Sequence, residues 1–405
     1  MQKKLFNKCF GAHRFFYNAA VTEIKGRYEA RKQEFQAMKH CVHCKKPKEE
    51  GKWTCKTHSK KSLPWNLDIT FYNIRSIVLK PDSKVEDTNM AWQSEIPYDT
   101  RQLAVKDAIT ALKACMTNKM RGNITHFDMR FQRRSSRRIM WVDSGALVYK
   151  KGQLRIFQTR LKENSAIRLP PKHRNKELPI GRNAKIQYDR GAYYLLLSVS
   201  ENVRPVQKKD HPVIALDPGV RTFQTGYAPT GIVIKAGEPQ IEVMKRLHDK
   251  IDLLRSVRSK VTKRCTRWRI KQRLEKLERY LFGVVDDLHN QTASYLVRNF
   301  ENILLPRFET HKMQQSDNLA SSTKRRMQGL SHYRFQQKLI NQCQKHGNKL
   351  YLVGEEYTTS ACGSCGKLAK VGGAKVYSCD ECGYSMDRDI HGARNILIKN
   401  CSELG

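Results

Sequence analysis

Apolar positions recur at one period early in the chain and at another beyond it. Between residues 10 and 39, Phe15, Phe16, Ala19, Ala20, Ile24 and Tyr28 return at helical spacing, which predicts a helix. IPYDTRQLAVKDAITALKACM, residues 96–116, sets Leu103, Val105, Ala108, Ile109 and Leu112 along one side behind Asp99, a candidate N-cap, and predicts a second helix. From 138 to 200 the apolar runs shorten and alternate. GALVYKKGQLRIFQT reads as a hairpin turning at Lys151 and Gly152, and GAYYLLLSVS as a further strand, so this segment reads as a β-barrel or sheet.

Beyond the polar connection NVRPVQKKDHP the pattern changes again. VIALD, TFQTGYA and IVIKAG are strand-like, and a helical stretch over 240–300 follows, with stripes at Leu247, Ile251 and Leu254 and at Ile270, Leu274, Leu277 and Leu281. NILLP is another strand, 328–346 another helix closed by Gly347, and KLYLVGE a last strand. Strands alternating with helices predict an α/β domain with a mixed sheet. The 405 residues suffice for two or three domains. No run of about eighteen apolar residues occurs, and MQKKLFNKCFGAHRFF lacks a signal-peptide core, so a soluble intracellular protein with no membrane partner is expected.

Charge narrows the partner. The chain has 76 Lys and Arg against 38 Asp and Glu, a net charge of +38 spread along its length, and that calls for a polyanion such as nucleic acid. Residues 251–280 hold eleven Lys and Arg against three acids. Any one of these side chains has a plain reading as part of a solvated helix face. As a block, Arg255, Arg258, Lys263, Arg264, Arg267, Arg269, Lys271 and Arg273 are candidate phosphate contacts.

The cysteines point to metal rather than disulfides. Cys362 and Cys365, then Cys379 and Cys382, form two CxxC pairs thirteen residues apart, each followed by glycine, the spacing of a structural zinc ribbon. Cys41, Cys44, Cys55 and His58 form a second set with a ten-residue spacer, in which His40 or His43 could replace a ligand. Asp217 ends the run VIALD, Glu309 follows NILLP within PRFETHKM, and Asp387 and Asp389 precede the helical pattern HGARNILIKN. Singly these acids read as turn or capping residues. Together, in a chain built to hold polyanions, they suggest a shared site for divalent cations.

The order of Asp in VIALDPGVRTF, Glu in ILLPRFE, two CxxCG pairs and then DRDIHGARNIL resembles the RuvC nuclease and zinc ribbon of the transposon-associated TnpB proteins. Their eukaryotic and viral relatives, the Fanzor proteins, share it, and PRFE resembles the Fanzor branch; type V CRISPR effectors are more distant kin. GAHRFFYNAAV and IPYDTRQLAVKDAITALKACM are similar to the family's recognition helices. The resemblance implies a multidomain α+β fold, with an N-terminal wedge-like β-barrel carrying a helical recognition insert. A C-terminal RNase H-like (RuvC) α/β domain with an inserted zinc ribbon follows. It divides the chain into a wedge and recognition region at 1–204 with a zinc finger at 40–60, and a first nuclease part at 205–357 including the basic helices of 240–300. A nucleic-acid-binding ribbon at 358–383 and the last nuclease motif at 384–405 complete it.

By the same resemblance Asp217, Glu309 and Asp389 hold two catalytic Mg²⁺. The chain is then an RNA-guided DNA endonuclease, with a transposon-derived guide RNA, double-stranded target DNA and an RNA–DNA heteroduplex as partners. The Fanzor branch implies a nuclear location, a bacterial origin a cytoplasmic one; monomer and dimer are not distinguished. A guide-free or nuclease-inactive zinc-ribbon nucleic-acid-binding protein is the alternative. This chain departs from the family's pattern in three places. His391 stands where Asn is usual, the 40–60 finger lies outside the minimal plan, and the chain starts almost at the first helix where the family has a preceding strand.

Overall fold

The computed structural model describes residues 2–37, 48–49, 52–53, 69–79, 91–126, 128–134, 138–150, 153–167, 169, 178–200, 203, 209–307, 320–368 and 374–404. These fall into two units, 1–199 and 200–405. In the first, α1 (Gln2–Ala37) begins earlier than the apolar spacing predicts. Phe6, Cys9 and Phe10 already belong to the buried stripe continued by Phe16, Ala20 and Ile24, and the interspersed Lys3, Lys4 and Lys8 hide that start in the sequence. The helix packs on α2 (Phe71–Val78), capped by the Thr70 hydroxyl, and on α3 (Tyr98–Met120). Asp99 does not cap α3. Pro97 stands at the cap without a side-chain bond, and Asp99 sits inside the first turn, accepting from Gln102 Nε2 at 2.7 Å. The Pro97 carbonyl instead takes the amides of Thr100 at 3.1 Å and Arg101 at 3.4 Å.

Short strands β1 (Lys48–Glu49) and β2 (Lys52–Trp53) pair with each other. Two antiparallel sheets of three strands each follow. One orders β3 (Arg138–Val142), β7 (Ala184–Asp189) and β8 (Ala192–Leu196); the other orders β4 (Leu147–Lys150), β5 (Gln153–Ile156) and β6 (Ala166–Ile167), with α4 (Gln158–Leu161) between the last two. The hairpin across Lys151 and Gly152 forms in the expected register, Lys150 opposite Gln153. The barrel does not: among the described residues the sheets remain open and separate. Strands of two to six residues give too few ladder bonds to close a ring. Instead α1, α3 and both sheets share one core from Phe6 to Ile186.

The second unit is built on a five-stranded sheet ordered β11 (Val233–Ala236), β10 (Gln224–Tyr227), β9 (His211–Pro218), β12 (Phe300–Pro306) and β13 (Lys349–Val353). β9, β10 and β11 run antiparallel in sequence, whereas β12 and β13 run parallel to β9. Side chains alternate as strand geometry requires. Ile214, Leu216, Ile303 and Leu305 pack with Val285, Leu296 and Leu339 of the helices on one face. Val213, Ala215, Leu304 and Val353 meet Ile396 and Leu397 on the other.

The 240–300 stretch is two helices, α5 (Glu238–Lys260) and α6 (Arg264–Asn299). Val261 leaves the helix in an extended conformation, and the β-branched pair Val261–Thr262 offers little helix propensity at the break. The helix expected at 328–346 is likewise divided into α7 (Ser321–Leu330) and α8 (His332–His346), because Ser331 takes the left-handed conformation at φ 50°. Gly347 caps α8 at φ 73°, its N–H returning to Cys343 O. The chain ends with the hairpin of β14 (Val376–Ser378) and β15 (Ser385–Asp387) leading into α9 (Arg388–Asn400). No described helix is long and apolar enough to cross a membrane.

Candidate active site and metal centre

β9, β12 and β13 run parallel, so their carboxyl ends share one edge of the sheet, the edge at which open α/β sheets bind ligands. Asp217 lies at that end of β9. It has the parity of Val213 and Ala215, which turns its carboxyl toward the face covered by α9. There it meets Gly392: a Cβ built on that glycine would stand 2.5 Å from Asp217 Oδ2. Burial first, then the charges of Asp389 and Glu355, push Asp217 up to about 7, with Arg388 pulling the other way.

The two aspartates at the start of α9 have separate roles. Asp387 is the N-cap, accepting from Asp389 N at 3.0 Å and Ile390 N at 3.3 Å, and its other oxygen pairs with Lys235 Nζ at 2.7 Å. Burial opposes its ionisation, but Lys235 and the two amides hold it below the usual carboxylate range. Asp389, in the first turn, makes no side-chain hydrogen bond or ion pair to another described residue, and its charge reaches Asp217. Glu309 lies outside the described residues, as do Cys41, Cys44, Cys55 and His58.

Glu355 is the acid that motif reading passed over. It follows β13 by two residues, as Glu309 follows β12 by three, and it acts on Asp217 directly. The signal was present: KLYLVGEE is an apolar run opening into acids, the same grammar as VIALD.

Beside this cluster the four ribbon cysteines converge. Their sulfurs lie within 4.8 Å of one another, with Cys362–Cys382 at 3.6 Å and Cys365–Cys379 at 3.7 Å. Zn–S bonds of about 2.3 Å in a tetrahedron set sulfurs about 3.8 Å apart, so the set fits zinc. The tight turns fall at Gly366 (φ 78°) and Gly383 (φ 68°), whose amides return to Cys362 O and Cys379 O, each at 3.0 Å.

Three residues of α9 fasten the knuckle to the helix that carries Asp389. Asn395 Nδ2 donates to Thr358 O and Ala361 O, each at 2.8 Å, and Arg394 donates to Gly363 O at 2.8 Å. His391 stacks on Tyr377 with ring centres 3.9 Å apart, and its Nε2 lies 2.9 Å from Ala361 O and 3.0 Å from Asn395 Nδ2. His391 therefore faces the ribbon. Gly363 leaves no room for a side chain, since a Cβ would come within 2.5 Å of Arg394 and Asn395.

Of the basic candidates, Arg255 pairs with Glu278 at 2.7 Å and Lys271 with Glu275 at 3.6 Å. Arg258, Lys263, Arg264, Arg267, Arg269 and Arg273 have no acidic partner among the described residues.

Acids at the carboxyl edge of a mixed sheet thus stand beside a four-thiolate knuckle fit for zinc, within a strongly basic chain. Residues 332–396 match the family model described as Cas12f1-like, TNB domain, and residues 1–33 match a helix-turn-helix domain model. A TnpB-like protein of Acanthamoeba polyphaga mimivirus is 28% identical over 328 residues, 78% of this chain and 59% of that protein. The CRISPR-associated endodeoxyribonuclease Cas12f1 of Sulfoacidibacillus thermotolerans is 30% identical over 97 residues, 24% of this chain and 23% of that one. A cryo-EM structure of the Cas12f1-sgRNA-target DNA complex aligns at a TM-score of 0.37 and 13% identity, covering 73% of this chain and 78% of that one. The chain is similar to TnpB-like proteins at both its ends and over most of its length, and it spans about 59% of the length of the mimivirus relative.

Proposed function

We propose that the chain is an RNA-guided DNA endonuclease that hydrolyses phosphodiesters at the carboxyl edge of the five-stranded sheet. The observation that carries this reading is geometric: Asp217 ends β9 at the carboxyl edge, against Gly392 of α9, with Asp389 at the start of that helix and Glu355 just past β13 close enough to act on it. Hard carboxylate oxygens in such a cluster fit Mg²⁺. Two bound Mg²⁺ would supply an activated water and a stabilised leaving oxygen.

The chain's own residues do the rest. Asp217 and Asp389 offer oxygens from a strand end and a helix start, and the third carboxylate is Glu309 by family resemblance or Glu355 by its action on Asp217. Asp387, bound to Lys235 and two amides, fixes where α9 begins and so where Asp389 stands. Gly392 lets the helix lie against Asp217. Cys362, Cys365, Cys379 and Cys382 would hold a structural zinc that fixes their two turns, and the ribbon would serve target contact.

A transposon-derived guide RNA would bind the basic surfaces, and its pairing with the target strand would supply specificity, with the protein reading a short adjacent motif. The Fanzor branch is the reading adopted for the lineage, with the nucleus as the site of action and a viral relative in support. The test is cleavage of matched duplex by protein carrying its co-purified RNA. Asp217→Ala and Asp389→Ala abolish cutting while guide and target binding change less than about twofold, because the ligands act only in the chemical step. Glu355→Ala against Glu309→Ala identifies the third ligand: the inactive variant names it. Cutting by Asp217→Ala protein would overturn the site.

A further inference from the structure

The tip of the α5–α6 hairpin is strongly basic. Residues 255–273 contain nine Lys and Arg and no Asp or Glu. Of these, only Arg255 and Lys271 have an acidic partner among the described residues. In the middle of this positive surface stands Trp268, 61% exposed. The core stripe of α6 passes through Leu274, Val285 and Leu288. Trp268 precedes Leu274 by six residues, which turns it about 120° around the helix from that stripe. It is therefore no displaced core residue. Arg264 at i−4 and Lys271 at i+3 flank the indole on its own face, and Arg267 and Arg269 adjoin it in sequence. Among the described residues it has no ring contact, cation–π partner or hydrogen bond.

We infer that Trp268 is a base-stacking platform for single-stranded DNA, with the surrounding arginines and lysines on its phosphates. Charge complementarity selects nucleic acid. The indole then selects the single strand: in a duplex each base face is covered by its neighbours and only edges and phosphates are offered, whereas an unpaired base has a free face to lay on an aromatic ring. A purely phosphate-tracking helix needs no tryptophan. The choice of DNA over RNA rests on the proposed nuclease reading, in which guide pairing displaces one strand of the target duplex; the stacking itself does not depend on it.

The experiment uses the full chain with EDTA present, so that no cutting intervenes, and labelled oligo(dT), oligo(U) and blunt duplex of equal length. Trp268→Ala weakens oligo(dT) binding about tenfold and duplex binding less than about twofold, and Trp268→Phe recovers most of the loss. The substitution touches no core residue, so folding is preserved. Equal losses on oligo(dT) and duplex, or no loss on either, overturn the platform. A larger loss on oligo(U) than on oligo(dT) overturns the assignment to DNA. Protein that binds oligo(dT) through Trp268 yet cuts no matched duplex overturns the nuclease reading and leaves this one standing.

Discussion

A single carboxyl shows how the site trades stability for chemistry. Asp217 is held at about 7 against an ordinary 3.8, so below about pH 4 it is protonated in both folded and unfolded chains and costs nothing. As pH rises the unfolded chain loses that proton first, and folding stability falls until the penalty is complete above about 7. Three units correspond to an upper limit of about 4 kcal/mol. Asp217→Asn removes the charge and keeps the shape. In EDTA at about pH 8 this variant should be more stable than the wild type by about 2 kcal/mol, and the gap should close toward about pH 4. Mg²⁺ should raise the Tm of the wild type and not of the variant. Chemical denaturation at the two pH values checks this, and equal stability at both would mean that Asp217 is not strained by its neighbours. Gly392 belongs to the same argument: the carboxylate occupies the volume any larger residue would need.

At the scale of elements, α9 joins the four-thiolate knuckle to the proposed active site. Its N-terminal turn carries Asp389, and one turn on it grips the carbonyls of Thr358, Ala361 and Gly363 beside Cys362. Gly363→Ala drives a Cβ into Arg394 and Asn395, so it should lower cleavage at least about tenfold while four thiolates still bind one zinc. Cys379→Ser should lose the ribbon zinc and cleavage together, and Cys55→Ser only the zinc of the 40–60 finger. Metal analysis beside a cleavage assay separates these outcomes, and full activity in Cys379→Ser protein lacking ribbon zinc would break the link. The knuckle was legible from the sequence because both its turns and its ligands are set within a few residues. The same locality explains the strand at VIALD and the cap at Gly347. What escaped needed the tertiary frame. Ser331 breaks a helix at φ 50°, against its own preference, and Phe6 joins the core behind lysines. Glu355 follows an apolar run as Asp217 does, but it is the parallel pairing of β13 with β12 and of β12 with β9 that brings the two acids to one edge. His391 stands where the resembling family has Asn, and as a helical residue two positions past Asp389 it turns to the ribbon.

For the molecule as a whole, +38 is the quantity that sets affinity and its dependence on salt. Charge of this size was legible at once, yet composition could not say which residues spend it on a partner and which on neighbouring acids. The ion pairs make that division. Lys235 pairs with Asp387, Arg255 with Glu278, and Lys338 and Arg334 share Asp286, so four positive charges meet three carboxylates inside the second unit. Arg264, Arg267 and Arg269 are exposed and have no such partner among the described residues. Each phosphate neutralised releases close to one counterion, and log affinity falls against log salt with a slope of about −0.9 per contact. Replacing those three arginines together by alanine should therefore make the slope for duplex DNA shallower by up to about 2.7, with affinity converging on the wild type at high salt. Lys235→Ala should leave the slope unchanged, since its charge is already compensated. A salt titration by fluorescence anisotropy decides it: if the triple variant keeps the wild-type slope, the tip of the hairpin faces solvent and the phosphate contacts lie elsewhere on the chain.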